Sequence, residues 1–181
     1  SIYYELKSGD FRFAVVYGLG EGTSNSVTKN DTGIGLEYKN FIIPGFDVVY
    51  ARNTDDSVTG AGNQDYNEKV TLTKTFKMEG KRKLKVWYMH EDVGLDSKMF
   101  TGGNNDGEVD WYGVTYKSGP MTLQYSYAET DASQGPTYDR DGYNIGMQYK
   151  LSKTSRIYIG HSSSDAGSGD GAVSYTHLRA H

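Results

Sequence analysis

Short and long connections alternate along this chain, and they separate segments in which apolar side chains recur at every second residue. Ten such segments are expected to be strands, at 1–7, 11–18, 31–39, 46–53, 67–78, 82–91, 110–117, 121–129, 142–150 and 155–162. The short connections are Ser8–Asp10, Asn40–Gly45, Glu79–Lys81, Ser118–Pro120 and Leu151–Thr154. The long ones are 19–30, 54–66, 92–109, 130–141 and everything from 163 onward. Gly, Asn, Asp, Ser and Thr dominate them, as turn and loop formers do. Consecutive strands must then run up and down, with the short turns gathered at one end and the long loops at the other.

The stretch Tyr143–Gly160, YNIGMQYKLSKTSRIYIG, displays the unit. Tyr143, Ile145, Met147 and Tyr149 alternate with Asn144, Gly146, Gln148 and Lys150, a period of two that gives one apolar and one polar face. A polar turn follows, and Ile157 and Ile159 resume the apolar face. Five strands end on a large apolar residue followed by lysine: Lys7, Lys39, Lys77, Lys117 and Lys150, spaced 32, 38, 40 and 33 residues apart. Gly35–Lys39 (GLEYK), Gly113–Lys117 (GVTYK) and Gly146–Lys150 (GMQYK) are the fuller copies. The repeat is a hairpin with loops of unequal length. A propeller repeat of similar period would need about four strands per unit, not two.

Alternation alone fits two folds. A soluble sandwich turns its apolar face inward, and a membrane barrel turns it to lipid. Three features favour the barrel. Strand lengths match the tilted span of about 9–11 residues that crosses hydrocarbon. The loop asymmetry is that of transmembrane barrels. The aromatics fall into two rims, with Tyr38, Phe76, Tyr116 and Tyr149 beside the short turns and Tyr17, Tyr50, Tyr88 and Tyr127 toward the long loops. Aromatic rims of this kind sit at lipid–water boundaries. The chain has 16 Tyr but 2 Trp, and its mean hydropathy of −0.66 reflects strands that are only half apolar. The expected class is therefore all-β, an antiparallel up-and-down transmembrane β-barrel. Lys74 interrupts the apolar face of its strand, and the sequence offers no account of it.

The face opposite the apolar one carries Arg12, Glu37, Lys69, Lys83, Lys85 and Arg156, the residues expected to line a pore. The basic members either form a positive wall that favours anions, or pair across strands with Glu5, Glu37 or Asp47. The long loops hold carboxylates, including Glu21, Asp96, Asp106 and Asp139, which read as solvated charge or as sites for divalent cations shared with lipopolysaccharide phosphates. A net charge of −4 argues against nucleic acid as a partner, and the lack of cysteine excludes disulfides and thiolate metal sites. No Gly-x-Ser-x-Gly, His-Glu-x-x-His or phosphate-binding loop is present. Neither Asn105–Asp110 nor Asp139–Gly142 has the spacing of an EF-hand loop. No enzyme, cofactor or metal is expected. A barrel enzyme would need a Ser or Asp beside His90 or His161.

Ser1–Tyr4 (SIYY) followed by Phe11–Glu21 (FRFAVVYGLGE) resembles the general porins of Gram-negative bacteria, above all the trimeric kind. The hairpin Tyr143–Gly160, whose turn reads YKLSKT at Tyr149–Thr154, resembles the family's penultimate hairpin, where a Y-x-x-S-K-x-T turn links two strands. The resemblance covers residues 1–172 and is strongest at its two ends. It implies about ten strands of a sixteen-stranded barrel in the bacterial outer membrane, a homotrimer through which small hydrophilic solutes diffuse passively. It places Arg12 just past the constriction loop, as the foremost single pore candidate. The contrasting reading is a soluble or surface β-sandwich that binds glycans through Tyr38, Tyr116 and Tyr149.

Residues 1–172 are expected to form a partial barrel domain that lacks the signal peptide, the first strands, the constriction loop and the closing strand. Val173–His181 (VSYTHLRAH) breaks the pattern and reads as translated sequencing adapter, a non-native tail.

Overall fold

The computed structural model describes residues 2–19, 30–56, 64–94, 107–132, 140–166 and 169–180. They form a single antiparallel sheet in which strand order is sequence order. The strands are β1 (Ile2–Ser8), β2 (Phe11–Leu19), β3 (Asn30–Tyr38), β4 (Phe46–Asp56), β5 (Gln64–Met78) and β6 (Arg82–Gly94). They continue with β7 (Gly107–Ser118), β8 (Met121–Ala132), β9 (Arg140–Lys150), β10 (Ser155–Ala166) and β11 (Gly169–Ala180). No strand crosses over another, as an up-and-down meander requires.

The expected strands are all present, with two differences. Most extend by two to four residues into the expected long loops. Thr54–Asp56 and Gln64–Tyr66, for example, pair with each other. Their sequences are polar on both faces, so alternation stops there, yet the ladder continues because backbone pairing needs no apolar side chain. The second difference is an eleventh strand where ten were expected. Gly169–Ala180 pairs with β10 from Ala166↔Gly169 to Ser155↔Ala180. The edge of β10 presents a row of main-chain donors and acceptors, and the chain that follows satisfies them.

Short turns fix the register. Ser8 opposes Phe11, Met78 opposes Arg82 and Ser118 opposes Met121. Gly9, Gly80 and Gly119 take positive φ at these reversals. The Lys39–Gly45 connection is larger and is tied down. Gly45 accepts from the Thr75 amide at 2.7 Å, and its φ of +76° leaves no space for a Cβ beside the Thr75 carbonyl.

Register also assigns the faces. Residues opposite one another point the same way. Tyr17, Ile34, Leu36, Tyr50, Val70, Leu72, Val86, Val114, Leu123, Ile145 and Ile159 therefore share one face. That face is exposed, with Ile145 at 53% and Tyr125 at 43%. No hydrophobic side chain is buried among the described residues, whereas the buried polar ones, Thr73 and Ser126, belong to the other face. The sheet has no dry core of its own. A sandwich needs two packed sheets, and the described residues form one.

Candidate functional site

The polar face is where the chemistry gathers. Arg12, Glu37, Lys69, Lys83, Lys85 and Arg156 all project from it. They divide into two groups. Arg12 stands opposite Glu37, and its guanidinium lies 3.2 Å from Glu5 and 3.9 Å from Glu37. Glu37 also holds Lys39 at 3.4 Å. Lys69 meets Glu91 at 3.1 Å. Its partner is therefore Glu91 rather than Glu5, Glu37 or Asp47, and Asp47 instead accepts from the Asn40 amide at 3.0 Å.

The second group has no carboxylate partner among the described residues. Lys77, Lys83 and Lys117 stand side by side across β5, β6 and β7. Lys85 lies in the next row between Thr75 and Thr115. Arg156 faces Lys150. Like charges directly opposite one another destabilise a sheet. These residues consequently make a positive belt near the short-turn end.

Between them the wall is neutral and hydrogen-bonding. Thr122, Gln124, Asn144, Gln148 and Tyr158 line a groove of about 180 Å³ together with Gly146, Ile145, Met147 and Ile159.

Sequence reasoning missed an aromatic patch on this same face. Trp87 opposes Thr73 and Gly113, and Trp111 opposes Met89 and Ala128. The run Val86–Met89 (VWYM) is apolar on both faces and conceals the alternation. The signal was available in Lys83 and Lys85, since their parity forces Trp87 and Met89 onto the polar face. The Trp87 indole lies over Gly113, where an added Cβ would come within 2.1 Å of the ring. Gly113→Ala is expected to lift the indole off the wall, change the near-ultraviolet circular dichroism and cost about 1–3 kcal/mol in urea titration. An unchanged spectrum would contradict this packing.

The opposite face carries all eight rim aromatics: Tyr17, Tyr38, Tyr50, Phe76, Tyr88, Tyr116, Tyr127 and Tyr149. Ring contacts tie neighbours together, with Phe11 and Tyr38 at 6.3 Å, Tyr38 and Phe41 at 5.4 Å, and Tyr88 and Tyr112 at 5.2 Å. Tyr38, Tyr116 and Tyr149 do not cluster. Tyr38 on β3 and Tyr116 on β7 are four strands apart, roughly 19 Å at ordinary strand spacing.

Lys74 finds its explanation here. Its amine donates to the Pro44 carbonyl at 2.8 Å and passes 5.6 Å from the Phe76 ring. The stem covers apolar surface while the charge reaches a polar group in the short-turn connection.

Beyond the Tyr88 rim the same face becomes charged. His90 Nδ1 lies 2.9 Å from Asp110, which also accepts from the Tyr88 hydroxyl at 2.6 Å. Arg52 and Glu68 lie 3.5 Å apart. An Asp does stand beside His90, but on the face away from the polar wall. The loop residues Glu21, Asp96, Asp106 and Asp139 lie outside the described residues.

One apolar face between aromatic rims and one polar, charged face, in a meander with short turns at one end, define the wall of a transmembrane β-barrel. Comparison with known proteins agrees. A family model described as Gram-negative porin matches residues 1–169. The chain belongs to the Gram-negative porin family, whose place is the bacterial outer membrane. Two solved structures are similar. A porin refined at 1.8 Å superposes with a TM-score of 0.66 at 16% identity, over 97% of this chain and 60% of that one. A loop-deletion form of OmpT, an outer membrane protein of Vibrio cholerae, superposes with a TM-score of 0.60 at 16% identity, over 97% of this chain and 61% of that one. The chain thus spans about 60% of the length of the structures it matches. Among curated proteins no sequence matches it.

Proposed function

We propose that this chain forms part of the wall of a water-filled channel through which small hydrophilic solutes and ions diffuse passively. The observation that carries the reading is one face rich in charged and polar side chains on a sheet whose other face is apolar between aromatic rims. No reacting group is required. The ladder satisfies backbone hydrogen bonds within the wall, which is what allows it to cross lipid. Wall charge and pore width then set what passes.

On this reading the complete barrel has sixteen strands and forms a homotrimer bedded in outer-membrane lipid and lipopolysaccharide, with no nucleic-acid partner, cofactor, metal or catalytic step. Residues 1–172 are the barrel portion. Val173–His181 is an adapter-derived tail, and its pairing with β10 is a main-chain contact open to any following segment. The six polar-face candidates line the pore, and the eight rim aromatics contact the lipid boundary.

The test is single-channel recording in a planar bilayer, using the gene completed from its source DNA. Large, ohmic, stepwise conductance is expected. Folded, detergent-stable protein that passes no current would mean a plugged barrel or a barrel enzyme. Protein that stays soluble without detergent and never inserts would revive the glycan-binding reading.

A further inference from the structure

The polar face places flat aromatic rings next to unpaired ammonium groups. Trp87 and Trp111 project from neighbouring strands, with Met89 opposite Trp111. Lys85 lies two residues from Trp87 on the same strand and face, roughly 7 Å along it. Lys83 follows, in a row with Lys77 and Lys117. Toward the other end of the wall, Glu91 is already engaged by Lys69 and Asn67.

Two features of this arrangement call for a ligand. A row of three lysines with no carboxylate partner among the described residues is costly to the wall, and an anion beside it offsets that cost. The Trp87 indole lies on Gly113, so its outer face is the surface a solute meets. A ring stacks there, and a negative group one row away meets Lys85.

We propose that the wall at β6 and β7 is a subsite for aromatic monocarboxylates, which stack on Trp87 beside Trp111 and place the carboxylate on Lys85 and Lys83. The assignment rests on the channel reading above. Its consequence is a transient stop for such solutes during passage, which simple carboxylates do not make.

The experiment records single-channel current through the completed protein with millimolar benzoate or acetate added to KCl. Benzoate is expected to reduce the current at lower concentration than acetate. Trp87→Leu is expected to shrink that difference by about three- to tenfold, the range that aromatic stacking supplies. Trp87→Phe, which keeps a ring, should preserve most of it. Lys85→Gln should weaken both anions together. An open channel that treats benzoate and acetate alike overturns the subsite. So does a benzoate effect that survives Trp87→Leu. A folded protein with no current at all overturns the channel reading, and the subsite falls with it.

Discussion

Replacing Lys83 and Lys85 by glutamate is expected to raise the preference of the completed channel for cations by about an order of magnitude at low salt. One unit charge roughly 7 Å from an ion in water changes its energy by about 0.6 kcal/mol, close to a threefold change in local ion population. The double substitution changes four units of charge, and screening over a Debye length of about 10 Å at 0.1 M salt removes part of the effect. The reversal potential in a salt gradient reads it directly. An unchanged value would show that these lysines do not face the permeation path. Neutralising Arg12 should move selectivity the same way but with a different structural cost. It leaves Glu5 and Glu37 without their shared cation. Removing Lys83 instead relieves repulsion in its row.

The other large effect is on stability. Ile145 projects from the apolar face between Tyr143 and Tyr149, and Asn144 beside it projects from the polar face. Ile145→Arg is expected to cost about 2–4 kcal/mol in lipid vesicles, the penalty for an arginine on the lipid side of a barrel near its midplane. Asn144→Arg should cost little, because that side chain meets water. Urea-dependent unfolding in lipid measures both. Equal effects at the two neighbouring positions would contradict the assignment of faces.

The faces were legible in the sequence because period-two alternation is a local property. Knowing that Lys83 and Lys85 are polar-facing fixes every other residue of β6. Strand ends at the long loops were less legible, since Thr54–Asp56 extends a ladder without any apolar signal. Ion pairs were partly legible. The two-residue turn at Gly9 and Asp10 sets Glu5 two rungs from Arg12's own, a relation that hairpin geometry predicts. The match of Lys69 with Glu91 follows from the short Glu79–Lys81 turn, but the pair stands nine rungs from it, so only unbroken pairing along β5 and β6 brings the two together. Lys74 was opaque because its partner, the Pro44 carbonyl, is a main-chain atom thirty residues away.

Each strand touches only the strand before it and the strand after it in the chain. Cooperativity in such an assembly passes from neighbour to neighbour, as in a linear array of repeats. The entropic cost of adding a strand is mostly that of closing one hairpin, however many strands already stand. Growth can therefore proceed at the free edge without searching distant contacts. A fault in β6 is felt first by β5 and β7, the two strands paired with it.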